Sequence, residues 1–298
     1  MPAIPNKLLD CVLYLYRDSS SATEGVRNGG AAFIVGVQSK TDPSATHLYA
    51  ITNHHVAVKS GCSVIRVNKK DGGAGTLDLD PSDWEFSADK GDVCIASLPV
   101  RGGNYRFNFV PNDLFLTEAE QNSGFIGVGD DVFMVGRFID HDGGQTNSPA
   151  VRFGNISIAP SYLPNISNSG KSVHYYCLDM HSRTGFSGSP VFAYRTPGAD
   201  LNDAVSQNLR MGAPVLRLLG IHCGQFPESM WLKGDNPDDE TSRPIVGYSG
   251  MTFALPAWKI QELLELDKFV TQRAEEDARM KKVNFVQHGC STMPRTAS

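Results

Sequence analysis

The sequence predicts an all-β protein that closes on a helix, and three observations carry that prediction. Short β-rich runs follow one another through the first two thirds of the chain at a steady cadence. No helical pattern alternates with them, which argues against a parallel α/β sheet and favours a sandwich or a pair of barrels. From Ala257 onward the apolar residues Trp258, Ile260, Leu263, Leu264 and Leu266 recur at helical spacing instead.

Taken in order, Val12–Tyr16, Ala31–Val37, Tyr49–Thr52 and Val64–Val67 are apolar, β-branched runs bounded by Gly, Ser, Asn and Asp. Val93–Leu98, Asp131–Arg137, Val151–Ile158, His174–Leu178, Pro190–Ala193, Leu218–Cys223 and Gly250–Ala254 continue the series. Val110–Asn122 breaks the pattern and reads as the connection between two β halves, with a short helix around Leu116–Gln121. Pro256 stands where a helix start accepts proline. The following Gln272–Lys282 is dominated by charge and reads as a solvated helical extension or a contact for a regulatory partner. The last dozen residues read as disordered. The expected units are residues 1–115, residues 116–256, and a helix with its tail at residues 257–298.

A chain of 298 residues is long enough for one large or two small cores, and 41% hydrophobic with 20% charged residues is an ordinary soluble mixture. The net charge of −5, with Lys and Arg scattered, gives no footing for nucleic acid or an anionic membrane surface. No apolar run approaches the roughly 20 residues of a membrane span. The six cysteines Cys11, Cys62, Cys94, Cys177, Cys223 and Cys290 are spread singly, without a disulfide framework. His222, Cys223, Cys177 and His181 are metal-ligating types, but their spacings fit no usual zinc pattern. No metal and no cofactor are expected. The N-terminus lacks a signal-peptide pattern, so a reducing, cytoplasmic setting is the expectation. Asn155 and Asn165 would be glycosylation acceptors only outside it. Asp235–Glu240 reads as a solvated acidic loop.

Three segments carry chemistry together. Tyr49-Ala-Ile-Thr-Asn-His54-His55-Val56 ends an apolar strand and delivers a histidine. Gly91-Asp92-Val-Cys-Ile places an aspartate just ahead of another strand, which alone is routine turn chemistry. Arg183-Thr-Gly185-Phe-Ser187-Gly-Ser-Pro-Val-Phe sets a serine among glycines ahead of a third. A serine nucleophile in acyl transfer needs backbone N–H groups aimed at the developing oxyanion, and glycines allow the bend. Gly185 and Ser187 are the natural donors. Each segment alone also has a purely structural reading; their order, His55 then Asp92 then Ser187, adds the specificity.

These three segments resemble the signatures of trypsin-like peptidases without secreted-type disulfides, the glutamyl endopeptidases and high-temperature-requirement proteases among them. Val151-Arg-Phe-Gly154 and Gly250-Met-Thr-Phe-Ala-Leu-Pro256 extend the likeness, which covers roughly Asp10 to Leu266. The resemblance implies two six-stranded antiparallel β-barrels followed by a C-terminal helix. It implies a serine endopeptidase acting on protein or peptide, with Ser187 as nucleophile, His55 as base and Asp92 orienting the base. His54 competes for the base role, and His55 is preferred because the family pattern sets the base directly before valine. Phe186 stands where secreted zymogens carry an aspartate, so their carboxylate switch is unavailable.

Gly220-Ile-His222-Cys-Gly224 resembles the pocket strand of glutamyl endopeptidases and of viral cysteine proteases that cut after Glu or Gln. By that resemblance Ser182, His222 and Gly224 bind substrate, with His181 and Arg183 close by, and Glu or Gln is the expected residue before the scissile bond. The plain alternative is an interior histidine with no substrate contact. Two other functions fit the same sequence: an idle or partner-gated protease-like scaffold, and the same chemistry on esters.

Overall fold

Alternation and β-branching in the first half of the chain are realised as strands β1 Val12–Tyr16, β2 Gly30–Gln38, β3 Thr46–Thr52, β4 Val64–Asn68, β5 Ala74–Asp78, β6 Glu85–Phe86, β7 Cys94–Ser97 and β8 Val110–Pro111. The second half contributes β9 Asp131–Gly136, β10 Ala150–Tyr162, β11 His174–Asp179, β12 Pro190–Arg195, β13 Val215–Met230 and β14 Ile245–Pro256. The computed structural model describes residues 3–87, 89–100, 103–162, 173–195, 215–230 and 245–289. The Asn165 triplet, the Asp235–Glu240 loop and Cys290 lie outside the described residues.

The second half closes as a six-stranded antiparallel barrel in the order β10-β11-β14-β13-β12-β9. The first half runs β5-β4-β1-β2-β3-β7-β6, with β8 pairing β2 in parallel. Six of its strands are of ordinary length, while β6 and β8 are two residues each. The all-β, two-barrel class is therefore as the sequence reads. The parallel strand β8 corrects the reading of Val110–Asn122 as strandless, and the short helix there is Glu118–Asn122. That helix starts on a capping box: Thr117 Oγ accepts the Glu120 N–H, and the Glu120 carboxylate accepts the Thr117 N–H.

β1 is buried along its whole length: Leu13 and Leu15 join the core of the first half, and Val12, Tyr14 and Tyr16 join a core shared by both halves and the C-terminal helix. The helix Ala257–Leu264 begins directly after Pro256 and buries Ala257, Ile260, Leu263 and Leu264 in the shared core. A second helix, Asp267–Gly289, follows it and reaches into the stretch read as disordered.

The Gln272–Lys282 stretch is helical as read, but its start, with the turn just before it, is not simply solvated. Phe269, 1% exposed, packs edge-on against Tyr49 with ring centres 5.3 Å apart. Arg273 donates to the Tyr49 hydroxyl, and Gln272 accepts from Ser97 Oγ at 2.8 Å. Polar side chains dock this helix, which is why an apolar-periodicity reading missed the contact.

Two arginines, Arg66 and Arg137, are fully buried over the rings of Tyr14 and Tyr16. Arg137 pairs with Asp142 and donates to the backbone carbonyls of Asn28 and Val26; Arg66 donates to Asn147, Ala22, Gly144 and Thr146. Those bonds replace the water the guanidinium groups lose on burial. They also fix the Val26–Gly29 loop, which borders the site described next.

Candidate active site

β3 ends at Thr52, and the chain turns at once into a short π-helical segment, His55–Lys59, whose N–H groups at Val56 and Ala57 bond the Asn53 carbonyl. The Asn53 amide reaches across to the Asp92 carbonyl at 2.8 Å. β7 begins two residues after Asp92 and pairs with β3 from Tyr49↔Ser97 to Thr52↔Cys94. This pairing sets the two residues side by side. The Asp92 carboxylate then holds His55 twice: Oδ1 accepts the His55 backbone N–H at 3.0 Å, and Oδ2 lies 2.5 Å from ring Nδ1. With Nδ1–H committed to a carboxylate, a neutral ring presents Nε2 as its free acceptor.

His54 takes no part in that arrangement. Its ring lies tilted against Phe86 with ring centres 4.0 Å apart, and burial pulls its pKa below the ordinary histidine value.

Ser187 stands in the turn before β12. The turn is held from both sides: Ala31 N–H donates to the Ser187 carbonyl at 2.8 Å, and Gly188 N–H donates to the His222 carbonyl at 3.0 Å. Gly188 has φ +88°, and a Cβ there would fall 2.0 Å from the Ala31 carbonyl oxygen. Gly185 has φ +99°, with the Arg137 carbonyl 2.7 Å from where a Cβ would be. Only glycine meets both demands. The N–H groups of Gly185 and Ser187 have no acceptor among the described residues, although their neighbours Phe186, Gly188 and Ser189 all do.

His55, Gly185, Ser187, His222 and Gly224 line one cleft of about 460 Å3. Its other walls include Asn28 and Gly29 from the Arg137-braced loop, and Gln225 and Tyr248 from β13 and the strand beside it. Sequence reading missed these wall residues; their only signal was proximity to recognised segments. Among the described residues no hydrogen bond joins Ser187 Oγ to His55.

His222 is 2% exposed, with neither ring nitrogen hydrogen-bonded. Burial pulls its pKa down to about 4; the nearby Phe186 carbonyl works against that shift and His55 adds to it. It is therefore neutral at pH 7. Gly224 is half-buried against the Phe253 ring, 2.7 Å from where a Cβ would sit. Ser182 is buried with its hydroxyl unpartnered, but it does not line the cleft. His181 is exposed beside Gly250, while exposed Arg183 lines the cleft.

The described cysteines Cys11, Cys62, Cys94, Cys177 and Cys223 are free and buried. Burial raises the thiols of Cys94 and Cys223, the two flanking Asp92, well above the ordinary value, and the Asp92 charge adds to it. No three His, Cys, Asp or Glu side chains among the described residues gather as a metal site. No described helix is long and apolar enough to cross a membrane.

The fold is chymotrypsin-like. Two antiparallel β halves hold His55 and Asp92 on the first and Ser187 on the second, with a helix after the last strand. No family model and no curated protein sequence matches the chain. Among solved structures it is similar to the protease domain of MamO from Magnetospirillum magneticum, in apo form, at 15% identity and a TM-score of 0.49, over 87% of this chain and 98% of that one. It is also similar to the Rv3671c protease of M. tuberculosis in its active form, at 17% identity and a TM-score of 0.46, over 86% and 80% of the two chains. The inactive form of that protease gives 16% identity and a TM-score of 0.44, over 86% and 88%. The fold assignment rests on the strand order rather than on these distant likenesses.

Proposed function

We propose that this chymotrypsin-like chain is a serine endopeptidase with Ser187 as nucleophile, His55 as general base and Asp92 orienting the base. One observation carries the reading. A carboxylate holds His55 by backbone and ring, and the same cleft contains a serine flanked by two unused backbone N–H groups.

The chemistry follows from that arrangement. Ser187 Oγ attacks the scissile carbonyl carbon while His55 Nε2 takes the hydroxyl proton. Asp92 favours the ring tautomer that accepts at Nε2 and stabilises the imidazolium that forms. Negative charge developing on the carbonyl oxygen is met by the N–H groups of Gly185 and Ser187, a kind of donor worth roughly 3–4 kcal/mol when lost. The C–N bond then breaks, and Nε2–H delivers its proton to the leaving amine. Water, deprotonated by the same nitrogen, attacks the acyl-enzyme and frees Ser187.

The pocket reading favours glutamine over glutamate before the scissile bond. A buried, neutral His222 offers one N–H and one lone pair, and a primary amide is complementary to both. A carboxylate against that uncharged ring meets no charge there, since the cleft's arginines, Arg17 and Arg183, are exposed.

A second reading, an idle or partner-gated site, draws on the absence of a Ser187–His55 hydrogen bond. A serine-directed phosphonate separates the two. Labelling of Ser187, lost in His55→Ala, supports the peptidase; a folded protein that stays unlabelled supports the gated site. For the pocket, peptides differing only in Gln or Glu before the scissile bond are compared by kcat/KM. A preference for Glu would overturn the neutral-histidine argument.

A further inference from the structure

The histidine on β3 itself, at the end away from His55, is built quite differently. His47 is 6% exposed, and both of its ring nitrogens meet carboxylates of the helix Asp267–Gly289. Nδ1 lies 2.8 Å from Glu276 Oε2, and Nε2 lies 2.9 Å from Asp277 Oδ1. A neutral imidazole has one N–H, so it satisfies only one of these acceptors; an imidazolium satisfies both.

Asp277 meets the ring as a carboxylate. Burial by itself would raise the Asp277 carboxyl, but Ser39 Oγ at 2.6 Å, the His47 ring and the Lys40 N–H at 3.2 Å outweigh it and hold it below the ordinary value. The other charged groups nearby are Asp42 and Arg279, which line the same groove, and Arg273, which reaches the Tyr49 hydroxyl and the Leu264 carbonyl.

The same helix grips both strands that set the proposed catalytic pair. It holds β3 through His47 and Tyr49, and β7 through Ser97. Thr52 at the far end of β3 leads into His55, and Cys94 at the start of β7 follows Asp92. Two ion pairs, Lys90 with Glu262 and Lys268 with Glu85, tie the stretch before Asp92 to the two C-terminal helices.

We propose that His47 is a positioning residue whose ring, held by a carboxylate on each side, locks the terminal helix onto β3 and β7 and so steadies His55 against Asp92. The positioning role rests on the reading of His55 and Asp92 given above; the lock itself does not.

The test uses the full chain at one fixed pH. Amide hydrogen exchange of the helix 267–281 reports the lock, and the rate of phosphonate labelling at Ser187 reports positioning. His47→Gln is expected to lower helix protection by about tenfold, as for loss of one charge-assisted hydrogen bond, and to slow labelling with it. Glu276→Gln, which leaves the Asp277 contact in place, has a smaller effect of the same sign on both readouts. Unchanged protection in both variants overturns the lock, and lowered protection with unchanged labelling, as a merely structural contact would give, overturns the positioning role. If Ser187 is never labelled, the catalytic reading and the positioning role fall together, and exchange alone upholds or overturns the lock. If His47→Gln does not fold, Glu276→Gln decides.

Discussion

His47 and His55 sit at opposite ends of the same strand region, and each meets a carboxylate within hydrogen-bond distance, yet the roles proposed for them differ. The His55 side chain is 37% exposed and faces one carboxylate, which leaves a ring nitrogen free in the cleft. The His47 side chain is 5% exposed and faces two, which leaves no ring nitrogen free. A histidine that moves protons needs one committed nitrogen and one free nitrogen near a partner. A histidine that anchors needs both committed. His222 completes the contrast, with no carboxylate at all, and burial keeps it uncharged. Exposure and the number of facing carboxylates, rather than residue type, separate the three.

The largest effects lie on the His55 side. Ser187→Ala or His55→Ala is expected to lower peptide turnover by roughly 10^4–10^6-fold while leaving the unfolding midpoint near the wild type. Equal activity in the wild type and both variants would leave the His55 pair as only another structural contact. Asp92→Asn comes next, at roughly 10^4-fold in kcat, because the amide favours the wrong ring tautomer. A pH–rate profile on that variant distinguishes tautomer loss from misfolding.

A smaller effect belongs to His222. Its folded pKa, lowered from 6.5 to about 4, means that the unfolded chain binds a proton first as the pH drops. Stability therefore falls as pH goes from about 6.5 to 4, by about 3 kcal/mol in total for this group. Urea unfolding across that window should show the slope, and His222→Gln should flatten it. The smallest effect is on the His47 side. Asp277→Asn should cost about 1–2 kcal/mol above pH 4. The Asp277 carboxyl is held below its ordinary 3.8, so its contribution is present above that value and fades as pH falls through the folded value. Unfolding measured at pH 7 and pH 3 should find the wild type and this variant converging in acid.

Much of this site was legible in the sequence because its parts are local. Gly185-Phe-Ser187-Gly188 needs glycines where φ is positive, and that demand is written into four consecutive residues. Thr52 ahead of His55, and Gly91 ahead of Asp92, mark strand ends in the same way. Strand β5, Ala74–Asp78, was not legible because it contains glycine and is only half-buried, so it shows no clean alternation. The burial of Arg66 and Arg137 was invisible too, since a charged residue in a strand ordinarily reads as solvent-facing.

The sequence by itself determined the strand-rich class, the helix after Pro256, and the order His55, Asp92, Ser187, because each depends on neighbours a few residues away. The pairing of His55 with Asp92, 37 residues apart, was an expectation from the likeness of their motifs; only the tertiary structure decided that His47 meets Asp277, 230 residues away. No periodicity or motif marks that second pair. The pairs exist because folding buries the strand ends beside their partners, and burial then rewards those polar groups that find complementary charge.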